Sequence, residues 1–412
     1  MKTSFTTSIA AVAKLAIGTF VLAILLRTWL EMGLVEPVTV AGSSMAPTLL
    51  GPHASVQCER CQNGFDVGAE FAAVADEAEC PQCGFQKNSL AELPVNRGDR
   101  LLIDRTAFTY RIPERWEPVV FASPMEEGGL VVKRVVGLPG ETIQLRDGEL
   151  WTNGRLAKKP LATQRTLRSL VHKETAAANR WRGSGWTWRN NSWNCESETD
   201  WQWLSYEHPG KKPITDDSAH NAGLTRRLFE VRDLCLSMRL QTTGNGDFAI
   251  RMNADEKVLE IKLNPSAGTL EYLAGEKILS RKELSTEALR NLQNREVQLE
   301  LSFCDQQLLV AIEGRVEFIQ EKVAEVEFHD PRPLFSVGAR NLSVTLCDLQ
   351  VYRDIYYASR EESQGFKEPM VPVTLGERDI FVLGDNVPIS LDSRHWGPLP
   401  LRFLVGRPLG VR

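Results

Sequence analysis

Val131-Val132-Lys133-Arg134-Val135-Val136-Gly137-Leu138-Pro139-Gly140 sets two charged residues inside a run of valines. β-Branched residues favour a strand, and the Leu-Pro-Gly end closes it as a turn. Valines on both sides of Lys133 make the strand apolar on either flank, a setting for a half-buried amine rather than a solvated one. Desolvation can lower a lysine by roughly 2–3 from its reference value of about 10.4, enough to leave the amine partly neutral near neutrality. Around this segment lie short β-rich stretches with dense glycine and proline punctuation: Val38–Gly51, Arg97–Asp104, Pro118–Gly154 and Arg378–Arg412. The expectation is a mainly β protein.

The chain has 412 residues, too many for one ordinary domain. Apolar residues at 42% and charged residues at 25% exclude a disordered or fibrous chain. A net charge of −5 leaves no electrostatic footprint for nucleic acid, so no nucleic-acid partner is expected. One long apolar run, Ile9–Leu26, is broken only by Lys14. It is followed by RTWLEMGLVEPV rather than a small-residue cleavage site, and reads as an uncleaved transmembrane helix. Lys2 and Lys14 favour an inside amino terminus and Arg27 opposes it. The expected location is therefore a single pass in the cytoplasmic membrane, with the rest of the chain outside.

The resulting segmentation is 1–8 cytoplasmic, 9–30 anchor, 31–56 first core part, 57–88 cysteine module, 89–157 second core part, 158–364 large insert and 365–412 third core part. In the large insert, Val297-Gln298-Leu299-Glu300-Leu301-Ser302-Phe303 alternates strictly and Leu308, Val310 and Ile312 continue the pattern, so the two form a hairpin. Further alternation in Phe229–Leu240, Phe248–Met252, Val258–Leu263 and Val344–Tyr352 predicts an antiparallel sandwich, with one helix over Ser285–Gln293. Trp181 to Trp203 holds six tryptophans, suited to core packing or to stacking on a glycan. Cys195, Cys235, Cys304 and Cys347 also lie in this insert.

In the cysteine module, Cys58-Glu59-Arg60-Cys61 and Cys80-Pro81-Gln82-Cys83 are 18 residues apart. CxxC pairs at this spacing are those of a zinc ribbon, four thiolates around a structural Zn2+. An oxidising compartment leaves disulfides as the alternative.

Two more clusters carry chemistry: Gly42-Ser43-Ser44-Met45-Ala46-Pro47-Thr48-Leu49, and Phe381-Val382-Leu383-Gly384-Asp385-Asn386 followed by Ser390-Leu391-Asp392-Ser393-Arg394-His395-Trp396-Gly397. An alkyl hydroxyl needs a base to act as a nucleophile. The chain has six histidines, and His395 alone falls in these clusters, so a neutral lysine is the better candidate base.

Taken in this order, SSMAPTL, RGDRLLID with PVVF, VVKRVVGLPGE, FVLGDN and SxDSRxWG resemble the type I signal peptidases. The resemblance implies Ser44 as acylating nucleophile and Lys133 as general base, with Ser390 hydrogen-bonding the lysine amine. Asp392 and Arg394 match an ion pair beside the site, and Asp385 and Asn386 a shaping turn. Gly42 takes the position where some members carry a hydroxyl oxyanion donor, leaving backbone alone to serve. Val387-Pro388-Ile389 replaces a more usual Arg-Asp-Asn. The implied activity is cleavage of signal peptides from exported preproteins after small residues at −1 and −3, without a catalytic cofactor, at a membrane-lipid surface. The large insert resembles a concanavalin-like (laminin-G-like) jelly roll, which implies a glycan or protein partner. The alternative is a membrane-tethered binding module on an inactive peptidase core. Loss of Ser44, Lys133 or Ser390 would have favoured it, and all three are present.

Overall fold

The computed structural model describes residues 3–125, 128–209, 213–254, 257–321, 334–363 and 370–410. The expected boundary at 364/365 lies outside them. The architecture is mainly β. One seven-stranded antiparallel sheet runs in the order Val35–Thr39, Arg100–Asp104, Leu404–Leu409, Pro118–Ala122, Leu130–Gly137, Asp379–Leu383, Leu399–Pro400.

The valine-rich strand Leu130–Gly137 is internal to this sheet, and its successive residues face opposite sides. Val135 packs with Val119, Phe121, Ile380 and Val382. Val136 packs on the other face with Ile143, Leu145, Phe381 and Leu383. Apolar cover on both faces explains why this strand reads as a continuous valine run rather than an alternating one. After the Pro139-Gly140 turn the chain enters a four-stranded sheet of Arg155–Leu156, Glu149–Thr152, Thr142–Arg146 and Val373–Thr374.

The large insert is a 13-stranded antiparallel sheet system. Its spine pairs Leu234–Ala254 with Phe335–Arg353, from Leu234 opposite Arg353 to Met252 opposite Phe335. Sequence patterning had divided the first of these into two strands. They are one, because the glycine-rich break at Gly244 to Asp247 is a shift in register and not a stop. The hairpin of Val297–Cys304 with Gln307–Ile312 forms as expected, closed by Asp305 and Gln306 at positive φ (53° and 55°), the backbone of a type I′ turn. The helix spans Thr286–Asn294, and Ser285 Oγ caps it by accepting from the Ala288 N–H.

The insert is rooted in the body that carries the seven-stranded and four-stranded sheets rather than hung from it. Trp116, Val136 and Leu145 share a cluster with Phe229, Ile355 and Tyr357 of the insert. Beside them, Lys159 is 2% exposed. Its ammonium pairs with Asp305, and with Asp354 at 2.9 Å, and lies 5.1 Å from the Trp116 ring centre. Burial alone would push this ammonium down, but Asp305 and Asp354 hold it well above its ordinary value.

The tryptophan-rich run divides its roles. Trp181, Trp186 and Trp193 are buried in the sandwich core. Trp201 and Trp203 stack at 5.2 Å, and Arg251 lies 3.6 Å over the Trp203 ring.

The amino-terminal apolar run does form a helix, Thr3–Gly33. The transmembrane expectation is not met: among the described residues, no helix is long and apolar enough to cross a membrane. Lys14–Thr28, the longest stretch with described side chains, extends ~22 Å, against ~30 Å for a hydrocarbon core.

Candidate active site

Ser44 sits in a compact turn between the strands Val35–Thr39 and His53–Gln57. Ala46 N–H donates to Ser43 O and Leu49 N–H to Met45 O. Met45 and Leu49 are buried against Leu101, which fixes the turn from below. From the side, the Asn386 N–H donates to Ser44 O at 3.0 Å and Asn386 Nδ2 donates to Ser43 O at 3.0 Å. The pre-Ser44 position, Gly42, is exposed and faces open space.

Lys133 lies opposite Val119 in the sheet register and is 2% exposed. Its Nζ donates to Ser44 Oγ at 2.6 Å. Burial lowers its amine to about 8, although the charges of Asp392 and Asp385 pull the other way. Residues 89 apart in sequence thus meet as a hydroxyl and a readily deprotonated amine.

Asp392 and Arg394 form the expected pair, Nε to Oδ1 and Nη2 to Oδ2 both at 2.8 Å. Burial alone would raise the Asp392 carboxyl. Arg394, together with hydrogen bonds from His395 and the Gly384 N–H, instead holds it far below its ordinary value. Arg394 also donates to Val387 O at 2.7 Å and Ser390 O at 3.2 Å. The unusual Val-Pro-Ile loop is therefore braced through its backbone, which needs no polar side chains.

Ser390 departs from expectation. Its hydroxyl is buried and, among the described residues, has no hydrogen-bond partner, so it does not hold the lysine amine in this geometry. It lies against Gly384, where an added methyl would overlap Ser390 Oγ and come within 2.5 Å of the Ser44 carbonyl oxygen. Gly384→Ala is expected to displace the Ser44 turn, measured as changes in the backbone amide shifts of Ser43 to Ala46. Unaltered shifts would show that the turn accommodates the methyl.

Sequence reasoning missed Arg134. Its guanidinium binds Asp385 twice, Nε to Oδ1 at 2.8 Å and Nη2 to Oδ2 at 2.6 Å, and Nη1 donates to Trp116 O at 2.7 Å. Asp385 shapes the turn by this buried pair. Strand alternation was the available signal: a buried strand with Lys133 on one face must bury Arg134 on the other.

The four module cysteines are buried, with their Sγ atoms all within 4.8 Å of one another. Cys58 to Cys83 and Cys61 to Cys80 are each 3.6 Å apart. That is far beyond a disulfide length of ~2.05 Å and near the ~3.8 Å edge of a thiolate tetrahedron with ~2.3 Å metal–sulfur bonds. None of the eight cysteines is in a disulfide. The sandwich grips this module: Asn63 Nδ2 donates to Val171 O at 3.3 Å, and Arg180 Nη2 to Cys61 O at 3.2 Å.

Residues 86–197 and 339–409 match the family described as signal peptidase, peptidase S26. Lys133, Asp385, Ser390, Asp392 and Arg394 fall inside the match and Ser44 outside it. Signal peptidase I V of Bacillus subtilis (strain 168) is 35% identical over 63 residues, 15% of this chain and 36% of that protein. Signal peptidase I of Leptolyngbya laminosa is 34% identical over 76 residues, 17% of this chain and 36% of that protein. The chain thus spans about a third of the length of these curated relatives. Among solved structures, the carbohydrate-binding module CBM66 from Bacillus subtilis is similar with a TM-score of 0.29 and 8% identity, over 42% of this chain and 94% of that one. The laminarinase catalytic domain from Thermotoga maritima MSB8 aligns with a TM-score of 0.32 and 11% identity, over 46% of this chain and 99% of that one. The matched segments, less than half of the chain, are similar to the signal peptidase, peptidase S26 family.

Proposed function

We propose that this chain cleaves amino-terminal signal peptides from exported preproteins, with Ser44 as nucleophile and Lys133 as general base. The observation that carries the reading is the 2.6 Å contact between Ser44 Oγ and a buried amine lowered to about 8. The neutral amine takes the hydroxyl proton as Oγ bonds to the substrate carbonyl carbon. The resulting ammonium returns that proton to the leaving nitrogen as the C–N bond breaks, leaving an acyl ester on Ser44. Water then attacks the ester, giving its proton to the same amine, which returns it to Ser44 Oγ as the acyl C–O bond breaks. Side-chain oxyanion help from position 42 is absent, so the Ser44 N–H is the donor assigned to the developing oxyanion. Purified protein in detergent should convert a preprotein to its mature form, and Ser44→Ala should not.

The amino-terminal helix exposes Leu15, Ile17, Phe20, Leu22 and Leu25, each more than half uncovered. We assign lipid as the cover for these side chains, which would keep Ser44 beside a membrane surface.

The thiolate cluster supports a structural Zn2+ held by Cys58, Cys61, Cys80 and Cys83, away from the reacting atoms. Elemental analysis should return about one zinc per chain, and Cys61→Ala should lose it with a lower unfolding temperature. An unchanged unfolding temperature on chelation would remove the metal from the account.

A further inference from the structure

Three adjacent strands of the large insert end at one place. Leu234 lies between Arg353 on one side and Phe303 on the other, so the next residue outward on each strand is Asp233, Asp354 or Cys304. A carboxylate oxygen from each aspartate and the Cys304 Sγ lie within 4.8 Å of one another. Cys235 adds a second thiol, its Sγ 3.5 Å from Cys304 Sγ, and both cysteines are buried.

Asp354 is 3% exposed, and its buried Oδ1 has no hydrogen-bond partner among the described residues. Its Oδ2 meets the Lys159 ammonium at 2.9 Å. Asp233 Oδ2 accepts from the Asp305 N–H at 2.6 Å. An orphaned carboxylate oxygen beside a thiol and a second carboxylate offers lone pairs that nothing receives.

Cations are present here but outnumbered. Burial raises the carboxyls of Glu149, Asp233 and Asp305, and Lys159 pulls each of them back. Arg353 acts on Asp354 as well, although its Nη atoms donate to the Asp354 and Asp217 carbonyls. Asp233 still stands at about 7, held up by burial and by the charges of Asp305 and Asp354. Four carboxylates against one ammonium and one guanidinium leave a negative excess that a divalent ion would balance. A cavity of about 650 Å³ reaches this end of the strands, with Asp233, Phe303 and Ile355 in its wall, and gives an ion a way in.

We propose that Asp233, Asp354, Cys304 and Cys235 form a second metal site, separate from the cysteine module, that takes Zn2+. Thiol donors disfavour Ca2+ and Mg2+, which take oxygen ligands. The 3.5 Å between the sulfurs is near the ~3.8 Å edge of a thiolate tetrahedron around zinc. Binding sends the thiol protons, and any proton on Asp233, to solvent. The ion would tie together the strands by which the chain enters and leaves the sandwich. Lys159 stands close enough to weaken the site, so it fills only with zinc in excess of what the module holds.

Equilibrium dialysis of the full chain in detergent against rising Zn2+, read by elemental analysis, counts the ions held. The unsubstituted chain should take up about one equivalent beyond that of the module, and Cys304→Ala and Asp233→Asn should each lose it. Cys61→Ala should lose the module's ion and keep this one, so the two sites report separately. An uptake that neither Cys304→Ala nor Asp233→Asn reduces would overturn the site. A second readout needs no substitution: saturating Zn2+ should slow alkylation of Cys235 and Cys304 in the unsubstituted chain, followed by peptide mass spectrometry. Rates that the ion leaves unchanged would overturn the site even where both variants bind less.

Discussion

Lys133→Met should lower kcat on a preprotein by about 10⁴-fold, the upper range for loss of a general base, and Ser44→Ala by about 10⁶-fold. The methionine keeps the buried volume and removes the amine that contacts Ser44 Oγ. Lys133→Arg should fail almost as badly, because a guanidinium keeps its proton at any working pH. In the proposed mechanism the active form is the neutral amine. The rate should therefore rise with pH through a midpoint near the 8 set by burial, falling about tenfold per pH unit below it. Asp392 stays ionised across this range and adds no second limb. A rate independent of pH between 6 and 9 would overturn the assignment of the base.

The second large effect concerns stability. Asp385→Ala leaves the Arg134 guanidinium buried and unpaired, at 2% side-chain exposure. Removing one partner of such a pair typically costs about 3–5 kcal/mol. The first unfolding transition in urea should move down accordingly, and activity should fall with it because Asn386 next door pins the Ser44 turn. The double replacement Arg134→Met with Asp385→Leu removes both charges and should recover much of the stability. A double variant no better than Asp385→Ala would show that the turn, rather than the charge, is what was lost.

Which parts could be read from sequence follows from how local each signal is. Lys133 and Ser44 declared themselves because each sits in a dense motif with its own turn chemistry, and the valines announced a dry strand. The hairpin at Asp305-Gln306 was equally plain, since alternation on both sides fixes its register. Arg134 and Lys159 stayed hidden. Each works through a partner more than 100 residues away, and nothing beside them in sequence names it. The Ser390 hydroxyl shows the converse: a motif can supply the residue while the surrounding turn sets where the oxygen points. The amino-terminal helix was legible as helix, whereas its relation to a bilayer depends on side chains of its whole length.

The buried ammonium of Lys159, gripped by Asp305 and Asp354 where the chain leaves for the sandwich and comes back, constrains movement of the whole lobe. Swinging the lobe away would part Trp116 from both Tyr357 and the Lys159 ammonium in a single step. Thermal agitation does not supply that. The lobe therefore behaves as a fixed outrigger, holding anything that settles on it at one height and one bearing from the Ser44–Lys133 pair.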